Sequence, residues 1–140
     1  MPFPQVTFLV THFNDPRIAN ADLRDVLLQS ISVLVQYKEY MVAFERNEVA
    51  VERMPGALLS AFDNRFWIPV TNILLWLCKG SEFGTSKHGE SWSNLFEDLL
   101  WKNCYLDEKL FASFLDHLFN TLSWTITEFY VSLKEMEEHY

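Results

Sequence analysis

The sequence predicts an all-α protein of five to seven helices, arranged as an armadillo- or HEAT-like solenoid segment or as an irregular helical bundle. Apolar residues recur at intervals of three and four along most of the chain, and no run alternates apolar and polar residues between hairpin turns. Two of the predicted helices are apolar around nearly their whole circumference, which is typical of helices that neighbours cover on several sides.

Size and composition favour a single helical domain or fragment over residues 1–140. The chain is 49% hydrophobic with 12 Phe and 5 Trp, so a sizeable core is available. Its net charge of −8 argues against nucleic-acid binding, which requires clustered Lys and Arg. The longest uncharged stretch, residues 66–78, is shorter than the roughly 20 residues of a membrane span. Because residues 1–4 lack a secretory signal, we expect a soluble protein of the cytoplasm or nucleus.

The first part of the chain is predicted to contain a short helix or extended lead-in, a turn and a central helix. Residues 4–13 form the lead-in, and Asp15-Pro16 indicates the turn. Asn20 is a good N-cap for a helix over residues 21–36. Polar residues of that helix form one narrow stripe and leave the rest apolar: Asp22, Asp25, Gln29, Ser32 and Gln36. We therefore expect it to be enclosed by other helices.

The middle of the chain contains a second helix of the same kind. Residues 37–47 continue helically, and Met54-Pro55-Gly56 predicts an interruption, so that residues 57–62 form a separate short helix. Asp63-Asn64 is a start signal for a helix over residues 66–79, which is again apolar almost all round. We expect this second helix to be central as well.

The last third is predicted to contain a flexible loop and two helices. Residues 80–91 hold three glycines and form the loop, after which Ser91 or Ser93 caps a helix to about Cys104. Asp107 caps the final helix. Its apolar residues recur at threes and fours to the C-terminus: Leu110, Phe114, Leu118, Leu122, Ile126, Phe129, Leu133, Met136 and Tyr140.

No catalytic, cofactor-binding or metal-binding residue is predicted. Residues 80–87 resemble a phosphate-binding loop only faintly, because they lack the adjacent Gly-Lys pair and the preceding strand. Cys78 and Cys104 have no metal-ligand spacing; a disulfide stays open, but two buried thiols are favoured. The four histidines form no ligand pair: His12, His88, His117 and His139.

Two groups of side chains leave alternatives open. The aromatic middle fits core filling better than a ligand pocket: Phe66, Trp67, Trp76, Trp92, Trp101 and Trp124. Residues 97–140 hold nine acids against three lysines, which favours a solvated face over a docking surface for a basic partner. The acids are Glu97, Asp98, Asp107, Glu108, Asp116, Glu128, Glu135, Glu137 and Glu138.

Three blocks, taken together in order and spacing, resemble a known family. They are residues 12–25, residues 62–80 and residues 114–129, and the resemblance spans roughly residues 8–138. The family is that of large SPRY-plus-RING E3 ubiquitin ligases of the KPC (Kip ubiquitination-promoting complex) type, in the helical region upstream of the RING. The first block also resembles, more weakly, the helical core of U-box chain-elongation ligases.

The resemblance implies a non-catalytic scaffold or protein-interaction segment, with no cofactor and with other ligase domains or a partner protein as its partners. The RING ligands are absent from this sequence, so ubiquitin transfer is not expected of it. Three alternatives remain. They are a self-contained ligand-binding or enzymatic bundle, a homo-oligomer formed through an uncovered stripe on the last helix, and a designed helical protein without natural function.

Overall fold

Seven helices make up the part of the chain that the structure describes. The structure is a computed structural model, and it describes residues 3–63, 65–79 and 94–139. The helices are α1 (Pro4–His12), α2 (Ala21–Leu34), α3 (Lys38–Glu45), α4 (Glu48–Ala61), α5 (Trp67–Lys79), α6 (Leu95–Leu106) and α7 (Glu108–His139). The all-α prediction is therefore confirmed. The predicted loop over residues 80–91 and the capping Ser91 or Ser93 lie outside the described residues.

Helix α4 is the centre of the fold. It packs against α1, α3, α5, α6 and α7, and its side chains Ala50, Met54 and Leu58 are fully buried. The predicted interruption at residues 54–56 is wrong, because α4 runs unbroken through Pro55. A proline inside a helix removes one backbone hydrogen bond, but Pro55 is itself buried in the core, and that packing offsets the loss.

The prediction that α2 and α5 are enclosed on nearly every side is wrong. On α2, Leu23, Val26 and Val33 are 47%, 58% and 52% exposed. On α5, Ile68 and Leu75 are 61% and 42% exposed, although the opposite face of the helix is buried. An apolar circumference indicates that a helix requires cover, but it does not show that this chain supplies it. Both helices thus have one covered and one open face.

The helix-start signals in the sequence are confirmed wherever the structure describes them. Asn20 Oδ1 accepts hydrogen bonds from the amides of the second and third residues of α2, at 2.8 and 3.1 Å. Asp63 Oδ1 accepts from the backbone amides that lead into α5, at 2.8 and 3.0 Å. Asp107 Oδ1 accepts from the third residue of α7 at 3.0 Å. These side chains satisfy amides that have no partner within their helix.

The cap of α4 was not predicted from the sequence, although Asn47 is a common capping residue. Its Oδ1 accepts from Ala50 N at 3.0 Å, and its Nδ2 donates to Thr7 Oγ1 at 2.8 Å. Asn47 is only 6% exposed. The same amide therefore begins the central helix and joins it to α1.

Two polar contacts fix α2 against its neighbours. Where α2 meets α5, the amide of Asn72 donates a hydrogen bond to the hydroxyl of Ser32. Near the start of α2, Arg24 Nη2 donates to Asn14 Oδ1 at 2.8 Å, and its guanidinium lies 5.2 Å from the Phe66 ring centroid. Arg24 thus makes the cation–π contact with Phe66, whereas Arg65, which directly precedes Phe66 in the sequence, is exposed.

Candidate protein-interaction surface

The first half of α7 is held on the body formed by α1–α6. α7 follows α6 after the single residue Asp107 and packs against both α6 and α4. The Phe114 ring meets the Phe62 ring edge-on, with centroids 5.2 Å apart, and Leu118 also packs against the core. Thr121, at 7% exposure, is the buried residue of α7 nearest its C-terminal end. The body therefore fixes the helix up to Thr121.

The second half of α7 is uncovered in the structure. Every residue from Leu122 to His139 is exposed, although α7 is one continuous helix of 32 residues. Eight large apolar side chains in this half are between 43% and 67% exposed: Leu122, Trp124, Ile126, Phe129, Tyr130, Val131, Leu133 and Met136. Soluble monomers rarely expose so much contiguous apolar surface, so this half of α7 has the properties of an interaction site.

Seven of the exposed residues form a regular line along α7, which we name the α7 seam. Its members follow one another at alternating steps of four and three residues: Leu115, Phe119, Leu122, Ile126, Phe129, Leu133 and Met136. All seven are 45% to 71% exposed. A strict alternation of this kind has a period of 3.5 residues, which keeps every member facing one partner helix in a coiled coil. At 1.5 Å per residue, the seam is about 32 Å long.

The charge around the α7 seam is strongly acidic. Between residues 115 and 139 the sequence has five acids and a single Lys or Arg, Lys134, besides His117 and His139. The ammonium of Lys134 lies 5.9 Å from the Tyr130 ring centroid on the same helix. The acids are Asp116, Glu128, Glu135, Glu137 and Glu138, so three of the five lie in the last turn and a half. The α7 seam therefore ends in a negatively charged tip.

A second apolar surface lies between α1 and α2. An open groove of about 540 Å³ is lined by Gln5, Phe8, Leu9, Ser30, Val33 and Leu34. Phe8 and Val33 are 56% and 52% exposed. This groove lies on the face that the sequence predicted to be covered, and it contains no charged side chain.

The tryptophans divide between the core and the surface. Trp67 and Trp76 pack against the core as predicted, whereas Trp101 and Trp124 are 67% and 59% exposed, so the core-filling prediction is wrong for those two. Trp92 lies outside the described residues. Trp67 and Trp124 share a groove of about 350 Å³ with Asn120 and Thr121. In it, the buried Thr121 Oγ1 has no hydrogen-bond partner among the residues that the structure describes.

The shorter of the two ion pairs found in the described residues joins Asp15 and Arg17. Arg17 Nη2 lies 2.8 Å from Asp15 Oδ2, and the Arg17 backbone amide donates to Asp15 Oδ1 at 2.9 Å. These hydrogen bonds hold the pKa of the Asp15 carboxyl far below its usual range. His12 Nδ1 is 3.6 Å from the same carboxylate. The pair stabilises the turn between α1 and α2, and its carboxylate stays ionised.

Within the described residues the structure brings no catalytic or metal-binding set together. No group of three His, Cys, Asp or Glu side chains there could hold a metal ion. Cys78 and Cys104 are both partly buried thiols, not half-cystines, and burial raises the pKa of Cys104. His88 lies outside the described residues. None of the helices in the described ranges is long and apolar enough to cross a membrane.

Comparison with known proteins places this surface in context. A family model described as "RNF123-like, TPR repeat" matches residues 112–140, nearly the whole of α7. The chain is 65% identical over 137 residues to the E3 ubiquitin-protein ligase RKP of Arabidopsis thaliana. That similarity covers 96% of this chain and 11% of the relative, so the chain spans about a ninth of the relative's length. No solved structure matches the chain.

Proposed function

We propose that this chain is a non-catalytic helical scaffold segment of a RING-type ubiquitin ligase of the SPRY-plus-RING KPC type, and that it acts through packing surfaces. The likeness to a named E3 ligase over 96% of the chain supports the class of protein. The TPR description of the matching family model supports the role, because such repeats stack on neighbours to bury their apolar faces. In this proposal the RING and the substrate-binding parts belong to other regions of the ligase.

The observation that carries the proposal is the uncovered second half of α7. The body buries its own core from Val6 to Phe96, while residues 122–139 project with their apolar side chains in solvent. An exposed apolar surface of this size is stable in a folded protein when another protein surface covers it. A scaffold segment has such surfaces, since each unit of a repeat protein contacts the units on either side.

A self-contained ligand-binding or enzymatic bundle is the weaker account. Such a site requires an enclosed pocket with convergent polar groups. Among the described residues, the groove between α1 and α2 and the groove at Trp67 and Trp124 contain no charged side chain. We also propose that the protein is located in the cytoplasm or nucleus, that its partners are other ligase domains, and that it does not bind nucleic acid, a membrane or a cofactor.

The experiment compares two activities of a full-length ligase that carries this segment. Ile126→Glu together with Phe129→Glu places two charges in the α7 seam. We expect substrate ubiquitination to fall several-fold, because the segment no longer packs in place. Discharge of ubiquitin from the conjugating enzyme to free lysine should stay unchanged, since that step requires only the RING.

Ser123→Glu together with Thr127→Glu is the matched control, because these two exposed polar residues lie one turn apart on α7 and outside the seam. The control should retain substrate ubiquitination. The proposal is wrong if the seam variant behaves like its control, or if it abolishes the lysine discharge as well.

A further inference from the structure

We propose that the α7 seam is covered by one antiparallel amphipathic helix from another part of the same ligase polypeptide, with heptad-spaced apolar residues and with Lys or Arg opposite the tip of α7. This inference rests on the proposed function, and it names the partner of the surface described above. Three properties of α7 support it: the period of the seam, its apolar area and its charge.

The period of the seam selects a single helix as the occupant. Steps of four and three hold through six successive intervals from Leu115 to Met136, with no polar residue in the line. A flat protein surface does not require a period of 3.5, whereas a second helix packed by knobs into holes does. The large aromatic members Phe119 and Phe129 are 71% and 66% exposed, so they are available as knobs.

The area of the seam suits a stable contact. Seven large apolar side chains that are about half exposed or more present roughly 700 Å² together, close to the roughly 800 Å² that each partner buries in a stable interface. The first half of α7 already packs on the body through Phe114 and Leu118, on a neighbouring face of the helix. A helix in the seam would therefore lie beside the existing core.

The charge of the seam argues against a second copy of this chain. In a parallel pair, the acidic tips of both copies would meet. In an antiparallel pair, each tip would lie beside the Asp116 end of the other copy. Lys134 is the sole Lys or Arg between residues 115 and 139, so either arrangement offers too few cations for five acids. Like charges brought together in this way oppose association.

The same tip determines the direction of the incoming helix. Glu135, Glu137 and Glu138 lie at the C-terminal end of α7, where the helix dipole is already negative. An antiparallel helix brings its N-terminal, positive end to this tip, and basic side chains there would pair with the three acids. A parallel helix would instead place two negative dipole ends side by side. The repeat class of the matching family model also joins successive helices by short turns, which makes neighbours antiparallel.

The test is site-specific photo-crosslinking in the full-length ligase that carries this segment. The photoreactive residue p-benzoylphenylalanine replaces Phe129, where it keeps an aromatic ring in the seam. In the control ligase it replaces Thr127, on the other side of α7. After irradiation, mass spectrometry identifies the joined peptides. We expect Phe129 to yield an intramolecular crosslink to a predicted helix with heptad-spaced apolar residues and net positive charge, several-fold above the control.

A charge-reversal variant adds a second readout. Glu135→Lys, Glu137→Lys and Glu138→Lys together should reduce the crosslink several-fold. The matched reversal of three exposed acids on α3 and α4 should leave it unchanged: Glu39→Lys, Glu48→Lys and Glu52→Lys. Crosslinks to a second copy, to a separate protein or to no helix would overturn the inference, and so would a crosslink that is indifferent to the reversal at the tip.

Crosslinking does not depend on ubiquitin transfer, so the two proposals fail separately. If the photoreactive residue at position 129 gives the intramolecular crosslink, but the separate Ile126→Glu and Phe129→Glu variant ubiquitinates its substrate normally, the scaffold role is overturned and the helix contact stands. Loss of substrate ubiquitination without this crosslink would overturn the helix contact alone.

Discussion

Phe114 on α7 meets Phe62 at the end of α4 edge to face, with their ring centroids 5.2 Å apart. This contact joins the central helix to the longest one, about two turns before α7 leaves the body. It therefore separates two parts of one helix that have different environments. The residues before Thr121 pack on the body and contribute to its stability, and the residues from Leu122 to His139 are exposed.

Phe114→Ala should destabilise the fold by about 2 kcal/mol, because it removes a partly buried ring and leaves a cavity beside Phe62. Phe129→Ala, the same substitution on the uncovered part of the same helix, should change stability by less than about 0.5 kcal/mol. Urea-induced unfolding followed by circular dichroism measures both. Equal losses for the two variants would contradict the division of α7 at Thr121.

Asn47→Ala should cost about 2 kcal/mol, since it removes a buried cap and the hydrogen bond to Thr7 in one step. Asn20→Ala removes an exposed cap whose two hydrogen bonds are both to amides of α2, and should cost about 1 kcal/mol. The comparison uses the same unfolding assay. A smaller loss at Asn47 than at Asn20 would show that the bond to α1 contributes nothing.

The hydrogen bond between Ser32 and Asn72 should appear as a coupling energy between α2 and α5. Ser32→Ala and Asn72→Ala are each expected to cost about 1 kcal/mol, and the double variant should cost about 1 kcal/mol less than their sum. A double-mutant cycle in urea gives the coupling directly. Strictly additive losses would mean that the two side chains do not interact in solution.

Cys104 should ionise at a higher pH in the folded protein than in the unfolded chain, because burial disfavours the thiolate. The folded state keeps the proton longer, so this group makes stability fall as the pH rises through the ordinary pKa of a thiol. In a Cys78→Ser background, the rate of iodoacetamide alkylation against pH gives the midpoint with and without urea. A folded midpoint at or below the unfolded one would exclude the expected effect of burial.

The local start signals in the sequence predicted where helices begin, whereas the packing between distant parts of the chain could not be predicted as well. Asn20 and Asp107 cap the helices that they were expected to cap, and Asp63 accepts hydrogen bonds from the amides just before α5, because such signals depend only on residues within one turn. The break expected at Pro55 does not occur, since burial in the core outweighs the local cost of a proline. The central position of α4 follows from contacts with five other helices, which no local pattern reveals.

The interaction surface shows the same limit. The apolar period of α7 was visible in the sequence, but periodicity identifies a face that requires cover and does not identify its cover. Leu118 and Leu122 belong to one predicted stripe, yet the first packs on the core and the second is 53% exposed. Only the three-dimensional position of the body shows where along the helix its cover ends.

Hydrogen–deuterium exchange of α7 tests the central claim most directly, because helical amides exchange when the helix opens locally. We expect the amides of residues 123–139 in the 140-residue chain to exchange at least about tenfold faster than those of α4, and to slow by at least about tenfold in the full-length ligase. Equal exchange of residues 123–139 in the short chain and in the ligase would show that nothing in the ligase covers this helix.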